Sequence, residues 1–395
     1  MRSPSTGLVY VFLSTTDWDA PQFGSRQQIA LRLGRRGQRV LFVEVPRAIH
    51  SLASDPAGMK RALGRMGVTR PVAEGVWAYT PHPVLPVYYN PLTNAVNQRL
   101  IKRDIRRALN KLGWQPDVIW TYWPNTAHIL GAPGSSPASK VSVYHCIDDF
   151  VAAGYPLTPR SVIARMEAEQ CRRADLILTR TEGLAARARQ YNANVRVLPG
   201  GVDAAAFGPH VEPNAQVLTL SAPRVGLVGT IDDRVDVEVL LHCARNLPSA
   251  SFVLVGPIKR HRVQVEALEA LPNVHFFPPC SHDAVPSYVA ALDVSLIPYR
   301  VNDYTRGLSP IKLYEVLAQG CPIVASDLPY LRREADHIRI AQGAADWVSA
   351  IRDALSSPLD DERRAARRAV AERYSWDSQV DEIERLVAAT LDGAL

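Results

Sequence analysis

The sequence predicts an α/β protein with two consecutive domains, each a parallel β-sheet covered by helices on both faces. The chain has 395 residues, which is long for one domain and sufficient for two. Short apolar runs alternate with segments of helical periodicity along nearly the whole chain, as expected when helices connect parallel strands. The alternation is interrupted at Pro199-Gly200-Gly201, which therefore indicates the domain boundary.

The first half contains six runs that are typical of buried strands, together with helices that have one apolar face. In chain order we predict strand 8–13, helix 25–36, strand 39–45, helix 97–112, strands 117–121 and 140–145, helix 161–174, strand 175–179, helix 182–190 and strand 195–198. The segment 46–96 is rich in proline and is predicted to be irregular. Its aromatic and aliphatic side chains, between Trp77 and Tyr89, are expected to be exposed.

The second half repeats this alternation. Its predicted strands are 224–228, 251–255, 274–277, 293–297 and 322–326, and its predicted helices include 236–246, 262–270 and 284–291. The tail from 345 onward predicts three helices, the last beginning near Trp376. We therefore predict domains at 1–200 and 201–375, and a C-terminal helix at 376–395 that packs back on the first domain. Ligands of such sheets bind beyond the carboxyl ends of the strands, so the two sheets are expected to face a central cleft.

The composition is typical of a globular protein of the cytoplasm, with 47% hydrophobic and 21% charged residues. No apolar run approaches the roughly 18–20 residues of a membrane span, and the first residues lack the long apolar core of a signal peptide. The five cysteines form no CxxC pair, which argues against a disulfide framework and a structural zinc site. We expect no metal and no cofactor.

Charge is distributed unevenly between the halves. Residues 1–200 contain 26 Lys and Arg against 13 Asp and Glu, whereas the remainder contains 19 against 26. The basic first half indicates an anionic partner, such as nucleic acid, an anionic membrane surface or a phosphate-bearing lipid. Helix 97–112 has a basic side that includes Lys102, Arg103, Arg106 and Arg107. This side is either a docking surface for the inner face of a membrane or an ordinary solvated face.

The segment 309–326 carries the clearest functional signal. It predicts a loop, a short helix, a stop at Gly320 and a buried strand. Lys312 and Glu315 are three residues apart, so both project from one face of the first helical turn. A helix start attracts phosphate, and a carboxylate there can accept the hydroxyls of a ribose. The alternative is a solvated Lys–Glu pair on an ordinary helix.

Three side chains that follow predicted strands of the first half are candidate catalytic groups. Asp17 follows the first strand and is a candidate general base if the reaction inverts configuration. His145 and Asp149 follow another strand and are candidates for positioning an acceptor hydroxyl. The alternative for Asp17 is turn or capping chemistry. The residue types around His145 would also suit a metal, but their spacing fits no familiar metal site.

The order and spacing of several motifs resemble those of glycosyltransferases with two Rossmann-like domains, the GT-B architecture. The matching segments are 17–18, 25–28, 37–44, 144–150, 198–203, 228–232, 254–257, 272–276 and 310–326. More narrowly, the chain is similar to bacterial group 1 or family 4-like enzymes of surface-polysaccharide and teichuronic-acid type. The match spans nearly the whole chain and is uninformative about the sugar.

The resemblance implies transfer of a sugar from a nucleotide-diphosphate sugar, bound by the second domain, to a glycan, lipid-linked or small acceptor, bound by the first. Glu315 matches the family carboxylate that binds the donor ribose, and Gly256-Pro257 match the turn near the base. The donor-binding residues assigned on this basis are Gly229, Arg234, Gly256, Pro257, Ser309, Pro310, Lys312 and Glu315. The basic side of helix 97–112 then becomes the acceptor or membrane surface.

The sequence departs from the broader retaining family in two places. Leu308 stands where a second glutamate is usual, seven residues before Glu315. The family also usually has an Arg and a Lys after the Gly229 turn, whereas this chain has Arg234 among acidic neighbours. We therefore hypothesise that Lys312 makes the second phosphate contact. Retention of configuration is the expectation from the resemblance.

Two functions other than sugar transfer are also compatible with parts of the sequence. A sugar-nucleotide epimerase of the same architecture needs no acceptor, which would leave the basic first domain without a purpose. A non-catalytic nucleotide or nucleic-acid binder would use the net charge of +6, but no aromatic-rich nucleic-acid motif is present. A glycosyltransferase of cell-surface polysaccharide biosynthesis, without a nucleic-acid partner, is therefore the preferred prediction.

Overall fold

The chain forms two compact units. The computed structural model describes residues 7–20, 23–48, 60, 63–130, 139–154, 158–356 and 361–394. One unit comprises Met1–Pro199 together with Gln379–Leu395, and the other comprises Gly200–Ser378. The last residues of the chain thus group with the first unit.

The first unit is built on an eight-stranded sheet. Its elements are β1 (Val9–Leu13), α1 (Ser25–Arg35), β2 (Arg39–Val43), β3 (Thr69–Ala73), β4 (Val76–Tyr79), α2 (Pro91–Leu112), β5 (Val118–Thr121), β6 (Val141–Cys146), α3 (Phe150–Ala153), α4 (Arg160–Arg173), β7 (Leu176–Thr179), α5 (Glu182–Ala188) and β8 (Val195–Val197). The strand order is β3-β4-β2-β1-β5-β6-β7-β8, parallel except for the edge pair β3-β4. All five residues of β1 are buried, because helices cover both faces of a parallel sheet.

The second unit contains a six-stranded parallel sheet in the order β11-β10-β9-β12-β13-β14. Its elements are α6 (Ala215–Leu218), β9 (Arg224–Val228), α7 (Val237–Asn246), β10 (Ser251–Val255), α8 (Glu266–Glu269), β11 (Val274–Phe277), α9 (Val285–Ala290), β12 (Val294–Ile297), α10 (Asp303–Arg306), α11 (Lys312–Gln319), β13 (Ile323–Ser326), β14 (Arg339–Ala341), α12 (Gly343–Ser356) and α13 (Asp361–Arg373). Helix α14 (Trp376–Leu391) begins in this unit, and from Gln379 onward it belongs to the first unit. The prediction of two α/β sheets is confirmed.

The proline-rich segment 46–96 differs most from the prediction, although residues 49–59, 61 and 62 lie outside the described residues. Instead of irregular chain, it contains β3 and β4, and β4 pairs with β2. The aromatic and aliphatic side chains expected to be exposed are largely covered, and Tyr79, Val84 and Tyr89 are buried. Burial against the sheet outweighs the local bias of proline towards loops.

Helix α2 begins six positions earlier than predicted. Asn90 caps it, because its side chain accepts hydrogen bonds from the backbone N–H groups of Leu92 and Thr93, and Pro91 occupies the first turn. Two further differences concern the second unit, where the helix predicted at 262–270 is only the short α8, and β14 was not predicted.

The tail forms the three predicted helices, and α14 begins at Trp376 as expected. Val380, Ile383, Leu386 and Val387 on α14 are buried. Arg36, just after α1, donates to Asp381 at 2.5 Å and to Glu384 at 3.0 Å. Within the described part of the chain, no helix is both long enough and apolar enough to cross a membrane.

Candidate active site

The carboxyl ends of β9 and β10 are glycines in backbone conformations that other residues rarely adopt. Gly229 has φ 141° and Gly256 has φ 130°. A Cβ atom built on Gly256 would lie 2.4 Å from the carbonyl oxygen of Gly229, and one built on Gly229 would lie 2.0 Å from Nζ of Lys312. The structure therefore brings these three predicted donor-binding residues together, and only glycine fits between the two loops and the lysine.

Lys312 is the first residue of α11, and the predicted loop, helix, glycine stop and strand are all present. No side chain caps this helix start, and the N–H groups of Leu313, Tyr314 and Glu315 donate to the backbone carbonyls of Pro310 and Ile311. Ser309 and Pro310 are buried immediately before it. Gly320 ends the helix in the left-handed conformation, as predicted. The ammonium group and the helix dipole place positive charge at one position beside Gly229.

Glu315 lies one turn further along α11 and is partly buried. Burial raises the pKa of its carboxyl group, and the positive charges of His282 and Lys312 act against that rise without cancelling it. His282 was not among the predicted site residues, and it lies in a 3₁₀ turn at His282–Ala284 after β11. A single histidine in a loop gives no sequence pattern that would reveal this proximity.

The side chain of Arg234 is paired with a carboxylate of the protein. Its guanidinium donates to both oxygens of Asp232, at 2.8 Å and 2.7 Å, and lies 6.0 Å from the centre of the Tyr299 ring. Burial acts to raise the pKa of Asp232, but the hydrogen bonds and charge of Arg234 outweigh it, so the pKa is lowered. The backbone N–H of Ile231 donates to the carbonyl of Pro257, which joins the loops that follow β9 and β10.

The three candidate catalytic residues each have partners of their own. Asp17 pairs with Arg47 at 2.7 Å. Asp149 caps α3 by accepting from the N–H of Ala152 at 2.9 Å, and it also pairs with Arg187 at 2.7 Å. The side chain of Asp17 thus forms an ion pair instead of the capping contact given as its alternative, and the catalytic role of both aspartates stays a prediction.

His145 lies inside the first unit rather than at its surface, with 2% of its side chain exposed. Its ring is 5.6 Å from that of Trp120 and 5.2 Å from that of Tyr122. Burial lowers the pKa of His145 well below its ordinary value, and the charges of Arg180 and Arg26 lower it further. The imidazole is therefore neutral. Neither arginine was among the predicted site residues. Arg26 is the second residue of α1, and Arg180 directly follows β7.

The basic side of α2 is largely exposed. Arg103, Arg106 and Arg107 are exposed and Lys102 is partly buried. Burial lowers the pKa of Lys102, and Arg106 and Arg173 add to that effect. Three apolar side chains are also exposed on the same helix, namely Leu92 at 79%, Val96 at 39% and Leu100 at 37%. Helical periodicity predicts Leu100 in the apolar stripe of this helix together with Ile101, Ile105 and Leu109, but its side chain is exposed whereas the other three are buried.

The sequence predicts no metal site, and the structure shows where the side chains that could bind a metal lie. Among the described residues, no group of three or more His, Cys, Asp or Glu side chains is arranged to hold a metal ion.

The buried cysteines Cys146 and Cys171 line a small cavity with Tyr144, Glu167 and Arg187. Tyr144 donates to Glu167 at 2.9 Å, so this carboxylate is already satisfied within the core.

Family models match both units of the chain. Residues 27–206 match the model described as Glycosyltransferase Family 4, and residues 222–357 match the model described as Glycosyl transferases group 1. The protein TuaH of Bacillus subtilis (strain 168), named for teichuronic acid biosynthesis, is 26% identical over 261 residues. The alignment covers 60% of this chain and 64% of TuaH, so the chain matches somewhat less than two thirds of that relative.

Solved structures share the fold at low sequence identity. Sucrose-phosphate synthase from Thermosynechococcus elongatus superimposes with a TM-score of 0.70 at 17% identity, covering 98% of this chain and 100% of that one. HepE from Anabaena, in complex with UDP and glucose, gives a TM-score of 0.65 at 12% identity, covering 96% and 99%. With its two family matches, the chain belongs to the glycosyltransferases of the GT-B fold, a family 4 region preceding a group 1 region.

Proposed function

We propose that the protein transfers a sugar from a nucleotide-diphosphate sugar to a glycan or glycolipid acceptor during synthesis of a cell-surface polysaccharide. The observation that carries this proposal is the position of Lys312, whose ammonium lies against Gly229 at the start of α11, one turn before Glu315. The name of TuaH supports a polysaccharide product. The UDP and glucose in the HepE complex support a nucleotide-sugar donor.

The chemistry follows from charge. When the sugar leaves, negative charge develops on the nucleotide diphosphate, and a fixed cation stabilises it without reorganising at the moment of reaction. Lys312 supplies that positive charge, and the start of α11 adds the positive end of its helix dipole. In this proposal Arg234 contributes less, because Asp232 already neutralises it. No resident metal or cofactor is part of the proposal, and the nucleotide sugar is the co-substrate.

Glu315 binds the donor ribose in this proposal. An ionised carboxylate accepts two hydroxyl hydrogen bonds, which suits the adjacent hydroxyls of a ribose. The second unit binds the donor and the first unit binds the acceptor. Retention of configuration is the stereochemical part of the proposal, supported by the family resemblance alone.

The acceptor side of the proposal includes a membrane surface. The exposed apolar residues Leu92, Val96 and Leu100 are spaced four apart on α2, followed on the same helix by exposed Arg103 and Arg107. Apolar residues at one end of a helix and basic residues at the other suit the boundary of an anionic bilayer. We propose that α2 docks on the inner face of a membrane whose lipids carry, or are, the acceptor.

Product analysis tests the transferase proposal. The protein is incubated with UDP-glucose and other nucleotide sugars, first alone and then with a lipid extract from polysaccharide-producing bacteria. Transfer predicts a new lipid-soluble glycoside only when the extract is present, and slow or no hydrolysis without it. Conversion of the donor to an epimer in the absence of the extract would instead support an epimerase. Binding to generic DNA without binding of any nucleotide sugar would support a non-catalytic nucleic-acid-binding protein.

A further inference from the structure

Buried polar groups lie together at the carboxyl ends of β5, β6 and β7 in the first unit. His145, near the end of β6, is almost completely buried, and neither of its ring nitrogens has a hydrogen-bond partner among the described residues. Tyr122, just after β5, is fully buried beside it. A buried imidazole with two unmatched nitrogens is costly, because it has left water without gaining a partner. Such a group therefore points to a polar ligand.

Two arginines adjoin this histidine. The guanidinium carbon of Arg26 lies 5.4 Å from the centre of the Tyr122 ring. Arg180, directly after β7, donates to Oγ of Ser25 at 2.7 Å. The charges of both arginines lower the pKa of His145, so both guanidinium groups lie near its ring.

The two arginines have no carboxylate bound to them. Across the described residues neither Arg26 nor Arg180 forms an ion pair, and Asp148 acts on Arg26 only through space. Burial lowers the pKa of Arg26 to about 10, and the neighbouring charge of Arg180 contributes to that lowering. The two guanidinium groups repel each other, and among the described residues no carboxylate forms an ion pair with either, so the arrangement favours an anion.

Helix α1 begins at the same place. Its N-cap is Gly24, which has no side chain to cap the first N–H groups, and Ser25 and Arg26 are its first two residues. The positive end of the helix dipole therefore adds to the two guanidinium groups. The cluster thus combines possible donors from a helix start, two arginines, a phenol and an imidazole. That number of donors from different directions suits a tetrahedral phosphate better than a planar carboxylate.

We propose that Arg26, Tyr122, His145, Arg180 and the start of α1 form a binding site for a phosphate group of the acceptor. The inference rests on the proposed function and deepens it by naming the acceptor as a phosphorylated molecule, either a soluble sugar phosphate or a lipid with a phosphate headgroup. The site lies in the first unit, whereas Lys312 lies in the second. His145 would donate one hydrogen bond to the phosphate as a neutral ring and thereby gain the partner that it lacks.

Histidine NMR tests this site directly. Protein with labelled histidine rings is saturated with UDP and titrated with inorganic phosphate, and the His145 signal is identified by its absence in His145→Asn. We expect a saturable shift of that signal in the wild type. Arg26→Gln should weaken phosphate binding at least about tenfold, because it removes charge-assisted hydrogen bonds. Arg35→Gln is the matched control, since Arg35 is exposed on the same helix, and it should bind phosphate like the wild type.

Three outcomes would overturn the inference: no shift of the His145 signal, equal phosphate affinity in Arg26→Gln and Arg35→Gln, or a shift that phosphate causes only when UDP is left out. A water bound at His145 in place of phosphate would give the first result, and a donor site would give the third. If Arg26→Gln does not fold, Arg26→Lys keeps the charge, loses the planar fork and should still weaken binding. UDP binding is measured in the same samples, so loss of UDP binding overturns the proposed function, whereas UDP binding without phosphate binding overturns only this inference.

Two further ligands identify the source of the phosphate. Glucose 6-phosphate represents a soluble acceptor, and monomeric dihexanoyl phosphatidic acid represents a lipid headgroup. Tighter binding of the first supports a sugar phosphate at this site, and tighter binding of the second supports a phospholipid or lipid-linked acceptor. Failure of both to shift the His145 signal counts against the site.

Discussion

Lys312 is the residue on which donor binding depends most in our proposal. Lys312→Ala removes the ammonium group that lies beside Gly229, whereas the other predicted phosphate contact, Arg234, is paired with Asp232. Since a hydrogen bond to a charged group contributes about 1.5–3 kcal/mol, we expect UDP to bind at least about tenfold more weakly. Isothermal titration calorimetry measures the change, with Lys111→Ala, an exposed lysine of α2, as the control. Unchanged UDP affinity in Lys312→Ala would remove this role.

Glu315 makes the stability of the second unit depend on pH. Burial raises the pKa of Glu315 in the folded protein above its ordinary value of 4.5, so folding favours the protonated form. Its destabilising effect is therefore absent below pH 4.5 and appears as the pH rises through the raised pKa. Glu315→Gln carries no such charge and should unfold at higher urea concentration than the wild type near neutral pH, with the difference shrinking towards pH 4. A difference that grows on acidification would contradict the assignment.

Helix α2 carries the membrane part of the proposal. Changing Lys102, Arg103, Arg106 and Arg107 together to glutamine should abolish most binding to vesicles rich in phosphatidylglycerol, because each basic residue near such a surface contributes about 1 kcal/mol. Binding by the wild type should also weaken as salt is added, since salt screens exposed charges. Sedimentation with vesicles measures both effects.

A matched control separates this surface from net charge alone. Four exposed arginines of the second unit are changed to glutamine, namely Arg245, Arg333, Arg352 and Arg373. This variant has the same net charge as the α2 variant and should bind vesicles like the wild type. If both variants lose binding equally, the attraction is general and α2 is not the docking element.

The whole molecule requires its last residues to complete the first unit. Four aliphatic side chains of α14 are buried, and fully burying each contributes about 1.5–3 kcal/mol. Together they approach the total stability of about 5–15 kcal/mol that is typical of a domain. A chain ending at Ser378 should therefore lose the cooperative unfolding of the first unit, as monitored by circular dichroism. A chain ending at Leu391 keeps these side chains and should unfold like the full protein.

The sequence predicted the two-sheet architecture because each strand and helix carries its own periodic pattern. It also predicted α11 and its glycine stop, since capping signals are local. It failed for β3 and β4, where proline suggested irregular chain but pairing with β2 determines the structure. The proposed phosphate-binding site was not predictable either, because Arg26, His145 and Arg180 become neighbours only through the order of the strands in the sheet. Periodicity describes a segment's own burial and carries no information about which distant segments become neighbours.

The grouping of Gln379–Leu395 with the first unit also bears on biosynthesis. A ribosome makes the strands of this unit first, but the helix that covers part of their core emerges last. The second unit, Gly200–Ser378, has all its residues in one continuous stretch and can complete its core before the chain is released. The second unit can therefore finish folding before the first, and the apolar surface of the first unit stays uncovered until residues 379–395 have been synthesised.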